Sequence, residues 1–156
     1  PWSIWVYTSE IPMYIAVFFT LKNFDNISKY LYSLLLLTFF STAIFIFWPT
    51  TYPRELYPLG APDGTWTYAL FNLIRNSDTP VNCAPSFHVS SLYLTALHWL
   101  NEDKRKLAFY LLWATAVTIS TLTTKQHYLI DVVSGFTMAC MVYWICHQGV
   151  VYYRKN

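Results

Sequence analysis

The chain has 156 residues, of which 55% are hydrophobic and 12% are charged, and its formal net charge is +2. Soluble domains carry about 25% charged residues, so this composition predicts a protein embedded in a membrane. The small positive charge, with no basic stripe among the aromatic side chains, argues against nucleic acid as a partner.

Five apolar segments are candidates to cross a bilayer, for which a helix needs about 20 residues. Their length without turn residues favours helices over strands, and lipid admits only helices or closed barrels. We therefore predict an all-α fold, a polytopic membrane helical bundle with about five transmembrane helices here, or six if the full protein adds one. The segments are Trp2–Leu21, Tyr30–Trp48, Ser86–Leu100, Leu107–Thr124 and Tyr128–His147.

We expect a single membrane domain over residues 1–156, because no internal repeat or domain boundary is visible. The sequence lacks an initiator Met and a cleavable signal pattern, so we expect a trimmed chain without an upstream helix. Its three cysteines show no Cys-x-x-Cys or His/Cys ligand spacing, which argues against a disulfide framework and a metal site.

The first segment carries a carboxylate, Glu10, beside Pro12. Ionisable side chains inside a membrane are expensive and are functional by default. Two interpretations of Glu10 stay open: it faces the functional site and contacts an acceptor hydroxyl, or it pairs with a helix that is not part of this chain.

The one long connection, residues 49–84, follows the second segment and is rich in proline and glycine, as loops are. Loops of this length are usually functional or disordered, and residues 70–74 are candidates for a short interfacial helix. Arg54 lies where the second segment leaves the membrane, and its guanidinium suits bidentate contact with a phosphate. The alternative for Arg54 is ordinary snorkelling at the interface.

The third segment begins with Pro85-Ser86, which predicts a helix start, and His88 falls in its first turn. Free backbone N–H groups at such a start favour an anion, and Ser86 adds a hydroxyl donor. A phosphate docked there has His88 beside its bridging oxygen, placed to protonate a departing alkoxide. The alternative is that Ser86 merely caps the helix and His88 is an interfacial polar residue.

The fifth segment begins next to His127, four residues before Asp131, a spacing that places both side chains on one helix face. Asp131 can accept from one imidazole nitrogen and leave the other free to attack phosphorus. The alternatives are a stabilising His–Asp pair or half of a metal site. Lys125 is a second candidate cation for the phosphate, with snorkelling again as the alternative.

The orientation follows from the number of crossings, which puts the long loop and both histidine motifs on one side of the membrane. That side keeps three basic residues and the opposite side receives seven, so the positive-inside rule makes the motif side extracytoplasmic. The seven are Lys22, Lys29, Lys104, Arg105, Lys106, Arg154 and Lys155.

Two motifs, Pro85-Ser86-Phe87-His88 and Ser120 followed by His127-x-x-x-Asp131, resemble those of the type 2 phosphatidic acid phosphatase superfamily of integral membrane enzymes. The resemblance implies a helical bundle with its site at the membrane surface. It also implies that His127 forms a phosphohistidine, that Asp131 orients it, and that His88 is the general acid. By the same resemblance the chemistry needs no metal, and no cofactor is expected.

The sequence departs from the superfamily's usual pattern at the phosphate-binding cations. Thr121 stands where an Arg usually follows the Ser, Phe47 occupies the usual Lys position, and Arg54 follows Pro53 instead of preceding a proline. Lys125 is a candidate replacement for the missing cation. The sequence around these positions looks more like the subgroup that includes inositol phosphorylceramide synthases.

We therefore expect a metal-independent lipid phosphatase that hydrolyses a lipid phosphate monoester or diphosphate at the extracytoplasmic surface. One alternative is a lipid phosphotransferase, in which a lipid alcohol or inositol resolves the phosphoenzyme. The other is a non-catalytic membrane subunit or transporter with His127 and Asp131 as a proton relay, which predicts no phosphohistidine.

Overall fold

The computed structural model describes residues 2–58 and 61–147, and the regular structure of these residues is helical. One isolated bridge, Thr51 with Val81, is the only β-pairing in the described part of the chain. The all-α prediction is therefore confirmed, while Arg154 and Lys155 of the orientation argument lie outside the described residues. The helices are α1 Ile4–Thr8, α2 Glu10–Thr20, α3 Phe24–Phe47, a 3-10 turn Arg54–Leu56, α4 Trp66–Ser77, α5 Phe87–Leu97, α6 Lys104–Thr123 and α7 Leu129–His147.

Three of these helices, α3, α6 and α7, are long and apolar enough to cross a membrane. The other two predicted segments form shorter apolar helices. Helix α5 has 11 residues, which at 1.5 Å per residue gives a length of about 16 Å, roughly half the hydrocarbon thickness of a bilayer. The described residues therefore contain three membrane-length helices, two fewer than the five predicted spans.

The two shortened segments differ in where they lose helix. The first is interrupted at Ser9, whose hydroxyl donates to the Val6 carbonyl at 2.6 Å and accepts from the Trp113 indole N–H at 2.9 Å. Hydroxyl side chains that bond the backbone in this way compete with the helix. The third begins at Phe87, since Ser86 is its N-cap, and gives way to turns after Leu97.

Helix α5 is the centre of the bundle and packs against α2, α3, α6 and α7. Seven of its 11 residues are buried, and three of these seven are Ser or Thr. Small residues let neighbouring helices approach closely inside a membrane, and hydroxyls bond across the helix interface. One such bond joins Thr95 of α5 to the Tyr30 hydroxyl of α3 at 2.8 Å.

The start of α5 lies directly against α7 at Gly135. A side chain at this position would place its Cβ 2.7 Å from the Ser86 carbonyl oxygen, so the approach needs glycine. The backbone N–H of Ser86 donates to the Asp131 carbonyl at 3.1 Å. The two sequence motifs are thereby joined through their main chains.

The chain reverses between α6 and α7, at the point where the fourth and fifth predicted segments are nearly continuous in sequence. Lys125 adopts a left-handed conformation with φ of 56°, which a side chain other than glycine adopts uncommonly. The Gln126 N–H then donates to the Thr121 carbonyl at 2.9 Å. This reversal delivers His127 to the end of the bundle at which α5 begins.

The long connection folds across that same end. Its two ends pair, since the Tyr52 N–H donates to the Pro80 carbonyl at 2.9 Å and the Asn82 N–H to the Thr50 carbonyl at 2.6 Å. Helix α4 encloses the predicted short helix at residues 70–74, and its Phe71 packs with Ile4 and Tyr7 of α1.

Candidate active site

The imidazole of His127 is held between two motif side chains just before α7. Its Nδ1 lies 3.4 Å from Asp131 Oδ2, with the two side chains 7% and 4% exposed. Its Nε2 lies 3.1 Å from Ser86 Oγ. The same Asp131 oxygen accepts the Tyr128 N–H at 2.8 Å, which fixes the carboxylate. His127 Nδ1 makes no hydrogen bond at this distance, but the Asp131 carboxylate favours the tautomer with its proton on Nδ1 and its lone pair on Nε2.

Ser86 has two roles in this geometry. It caps α5, accepting the Val89 N–H on Oγ at 3.3 Å, and its own hydroxyl proton is free to donate to His127 Nε2. Ser86 is completely buried, so its hydroxyl has few other partners. The predicted contact of Ser86 with a phosphate stays a prediction.

His88 faces His127 across the site, with ring centroids 5.9 Å apart. Its Nε2 lies 3.2 Å from the Tyr7 hydroxyl and 3.6 Å from Glu10 Oε1. Glu10 therefore lies beside His88, and its predicted contact with an acceptor hydroxyl stays a prediction.

A cavity of about 270 Å³ joins these groups. A water molecule occupies about 30 Å³ in the liquid, so this space accommodates a phosphate group. Both histidines line it, together with one guanidinium and one carboxylate. The lining residues are Phe45, Arg54, Asp78, Thr79, Val81, Asn82, Cys83, Phe87, His88 and His127.

Arg54 lines the same cavity as both histidines, but its guanidinium is already bonded within the protein, and its predicted phosphate contact stays a prediction. Nη2 donates to Asp78 Oδ2 at 2.6 Å, and Nη1 donates to the Asp78 carbonyl. Arg54 is 6% exposed, and its buried Nε has no hydrogen-bond partner. A phosphate in the cavity therefore shares this guanidinium with Asp78 or displaces that carboxylate.

Two further cations lie near this end of the bundle. Arg75 of α4 donates to the Tyr57 carbonyl at 2.9 Å, and burial together with the neighbouring Arg54 guanidinium lowers the pKa of Arg75. Lys125 is exposed, and its Nζ lies 5.5 Å from the centroid of the Tyr57 ring. Lys125 is not among the residues that line the cavity, so its contact with a phosphate stays a prediction.

Cys83 also lines the cavity and is a conceivable rival nucleophile. Burial, helped by the Asp131 carboxylate, raises the pKa of its thiol to about 11. Because the thiolate is the reactive form, Cys83 is essentially unreactive at neutral pH.

Sequence reasoning missed three residues of the site: Tyr7, Arg75 and Asp78. Tyr7 gave no signal, because a tyrosine in an apolar segment fits an ordinary core. Asp78 and Arg75 are easier to detect, because they are charged residues in the long loop that the sequence places on the same side as the histidine motifs.

Within residues 2–58 and 61–147, no group of three or more His, Cys, Asp or Glu side chains is placed to hold a metal ion. Asp131 and Glu10 each lie beside one histidine, and Asp78 lies beside Arg54. Metal-independent chemistry stays a prediction, which a chelator tests directly.

The comparison with family models gives one match, to the model described as the PAP2 superfamily, over residues 2–145. This range covers most of the chain, including both histidine motifs and the long connection. Neither a curated protein nor a solved structure matches the chain significantly.

Proposed function

The chain belongs to the PAP2 superfamily, the type 2 phosphatidic acid phosphatases, and from this membership we propose a metal-independent lipid phosphatase that acts through a phosphohistidine. Membership together with the apolar helices indicates a membrane enzyme of the phosphatase or phosphotransferase type. The observation that carries the finer proposal is the cavity shared by His127, His88 and Arg54. Its substrate would be a lipid phosphate monoester or diphosphate.

In the first half-reaction His127 Nε2 attacks phosphorus. The bond between phosphorus and the leaving oxygen breaks, and His88 transfers a proton to that oxygen. The Nδ1 proton of His127 stays directed at Asp131, which stabilises the positive charge that develops on the ring. The Ser86 hydroxyl, which lies 3.1 Å from Nε2 in the resting site, turns to a phosphoryl oxygen as the nitrogen becomes bonded.

In the second half-reaction water resolves the phosphohistidine. His88, now neutral, takes a proton from water as the water oxygen bonds to phosphorus and the P–N bond breaks. Inorganic phosphate leaves, and both histidines return to their starting protonation. Hydrolysis of phosphate monoesters is among the slowest uncatalysed reactions, and a covalent intermediate divides that barrier between two steps.

Arg54 is the main residue that stabilises negative charge on the transferring phosphoryl group. Ser86 and the free N–H groups at the start of α5 are additional donors. Arg75 and Lys125 add positive potential from farther away. In this proposal the site faces the periplasm, the exterior or a lumen, as the distribution of basic residues favours.

A lipid phosphotransferase is the second candidate, and one observation favours it. The guanidinium that lines the cavity is already paired with Asp78, so the cavity offers little net positive charge. A phosphodiester, with one negative charge, suits such a cavity better than a doubly charged monoester. An alcohol would then replace water in the second half-reaction.

Phosphate release by the purified protein in detergent tests the proposal, with a panel of lipid phosphates and diphosphates and with chelator present. We expect chelator-resistant release that is lost in His127→Ala and His88→Ala. His147→Ala, a histidine partly buried at the opposite end of α7, is the matched control and should retain activity.

Each other result assigns a different function. Transfer to an added lipid alcohol or inositol without phosphate release would move the assignment to the phosphotransferase. No phosphohistidine, with neither release nor transfer, would contradict enzymatic function and favour the proton-relay alternative.

A further inference from the structure

We propose that Glu10, assisted by Tyr7, is the positioning residue of His88: it holds the proton of Nε2 so that Nδ1 exchanges a proton with the leaving oxygen. The inference rests on the proposed histidine mechanism and adds a residue from the first two helices to it. Glu10 contacts neither phosphorus nor the leaving group in this account. It acts through the imidazole of His88.

Two oxygen atoms from different helices converge on one nitrogen. Tyr7 Oη of α1 lies 3.2 Å from His88 Nε2, and Glu10 Oε1 of α2 lies 3.6 Å from the same atom. The Tyr7 and His88 rings lie with centroids 5.6 Å apart. An ionised Glu10 carboxylate only accepts, so it favours the ring form that carries a hydrogen on Nε2, and the Tyr7 hydroxyl can accept from that same hydrogen.

The environment of Glu10 makes a purely structural role a poor explanation. Glu10 is 9% exposed, and its second oxygen, Oε2, is buried with no hydrogen-bond partner. A buried carboxylate is costly unless a cation or several donors compensate it. The N-terminus of α2 compensates part of this charge, and a protonated His88, 3.6 Å away, compensates it directly.

This geometry determines where each proton of His88 lies during the reaction. His88 begins as the imidazolium, with one proton on each nitrogen. The Nδ1 proton passes to the leaving oxygen, which departs as an alcohol, and the Nε2 proton stays between Tyr7 and Glu10. In the second half-reaction Nδ1 takes a proton from the attacking water, and Glu10 remains ionised throughout.

The arrangement repeats, for the acid, what Asp131 does for the nucleophile. In each pair a carboxylate holds one ring nitrogen and thereby determines which nitrogen does the chemistry. In His127 the carboxylate holds Nδ1 and Nε2 reacts. In His88 the carboxylate holds Nε2 and Nδ1 reacts.

Dependence on the leaving group separates this role from a structural one. An alkoxide needs a proton to depart, whereas a nitrophenolate departs without one. The test therefore compares Glu10→Gln with the wild-type full chain in detergent, on a long-chain alkyl phosphate and on an alkyl-substituted nitrophenyl phosphate. The quantity compared is kcat/KM, which reports the steps up to departure of the leaving group.

Glu10→Gln preserves the shape of the side chain and removes its charge. We expect kcat/KM to fall about 100-fold for the alkyl phosphate, as for loss of general acid catalysis, and by less than about threefold for the nitrophenyl phosphate. The nitrophenolate should appear as a burst of one equivalent, because the slowed second half-reaction leaves the phosphohistidine to accumulate. Tyr7→Phe should show the same selectivity with a smaller loss, and it serves as the second variant if Glu10→Gln folds poorly.

The control variant is Glu102→Gln, an exposed carboxylate after the opposite end of α5, which should leave both substrates unaffected. Equal losses on the two substrates in Glu10→Gln, or no loss on either, would overturn the positioning role while leaving the histidine mechanism intact. A wild-type protein that cleaves neither substrate, or His127→Ala that cleaves both, would overturn the mechanism and this inference with it.

Discussion

The two histidine–carboxylate pairs of the site are built in opposite ways. His127 and Asp131 lie within one short stretch of chain, and both side chains are almost completely buried. His88 and Glu10 come from helices far apart in sequence, and the His88 side chain is 28% exposed. The local pair depends on one helix start, whereas the distant pair exists only if the first two helices dock correctly. His127, the proposed nucleophile, is thus the better protected of the two, and His88, the proposed acid, is the more easily perturbed.

Asp131→Asn breaks the local pair and should have the largest effect. The amide keeps an oxygen for the Tyr128 N–H, so we expect the melting temperature to change little. It no longer compensates charge on His127, and loss of such an orienting carboxylate costs about 1,000-fold in kcat. The loss should appear equally with alkyl and nitrophenyl leaving groups, since both need the nucleophile.

A matching Glu10→Gln variant, with its loss restricted to the alkyl phosphate, would sharpen the contrast between the pairs. If Asp131→Asn instead spared the nitrophenyl substrate, the assignment of His127 as nucleophile and His88 as acid would have to be exchanged.

Gly135→Ala tests whether α7 must touch the start of α5 for the two pairs to meet. The added methyl group would lie 2.7 Å from the Ser86 carbonyl, and overpacking of this kind costs roughly 1–3 kcal/mol. We expect a lower melting temperature in detergent and a loss of activity, because Ser86 and His127 move apart. Ser134→Ala, on the same turn of α7, should melt like the wild type; an unchanged melting temperature in Gly135→Ala would contradict the packing described.

Much of the fold and one of the two histidine–carboxylate pairs were predictable from the sequence. The physical reasons differ between the two pairs. The close spacing of His127 and Asp131 predicts that they meet, but the predicted shared helix face is wrong: His127 lies before α7, and Asp131 reaches back over the helix start. Proline with serine predicts the start of α5 beside His88. Glu10 carries no local signal for its partner, since only the packing of α2 on α5 determines which side chain it meets. Of the five predicted spans three are helices of membrane length, since Ser9 interrupts the first segment and α5 ends at Leu97.

Asp78→Asn should improve binding of anions by freeing Arg54. Removing one negative charge beside the phosphate is worth about a factor of ten in affinity, or about 1.4 kcal/mol. We expect the inhibition constant of inorganic phosphate to fall by about that factor, measured against hydrolysis of the alkyl phosphate. Asp63→Asn, an exposed carboxylate in the same connection, is the control. Weaker phosphate inhibition in Asp78→Asn would mean that Asp78 orients Arg54 for the substrate and does not compete with it.

Lys125→Ala should have the smallest effect of the set. Its ammonium group is exposed and lies over the Tyr57 ring, an arrangement worth about 0.5–1 kcal/mol. We expect KM to rise by less than about fivefold, with kcat unchanged. A loss as large as that of Arg54→Ala would show that Lys125 reaches the phosphate in the bound state.

The most direct test of the account is to locate the covalent phosphate. The wild-type protein is quenched in alkali during turnover of a radiolabelled lipid phosphate, digested, and mapped by mass spectrometry. The account predicts an alkali-stable, acid-labile phosphate on His127, absent from His127→Ala. Turnover with no labelled residue, or with the label on a residue other than His127, would contradict it.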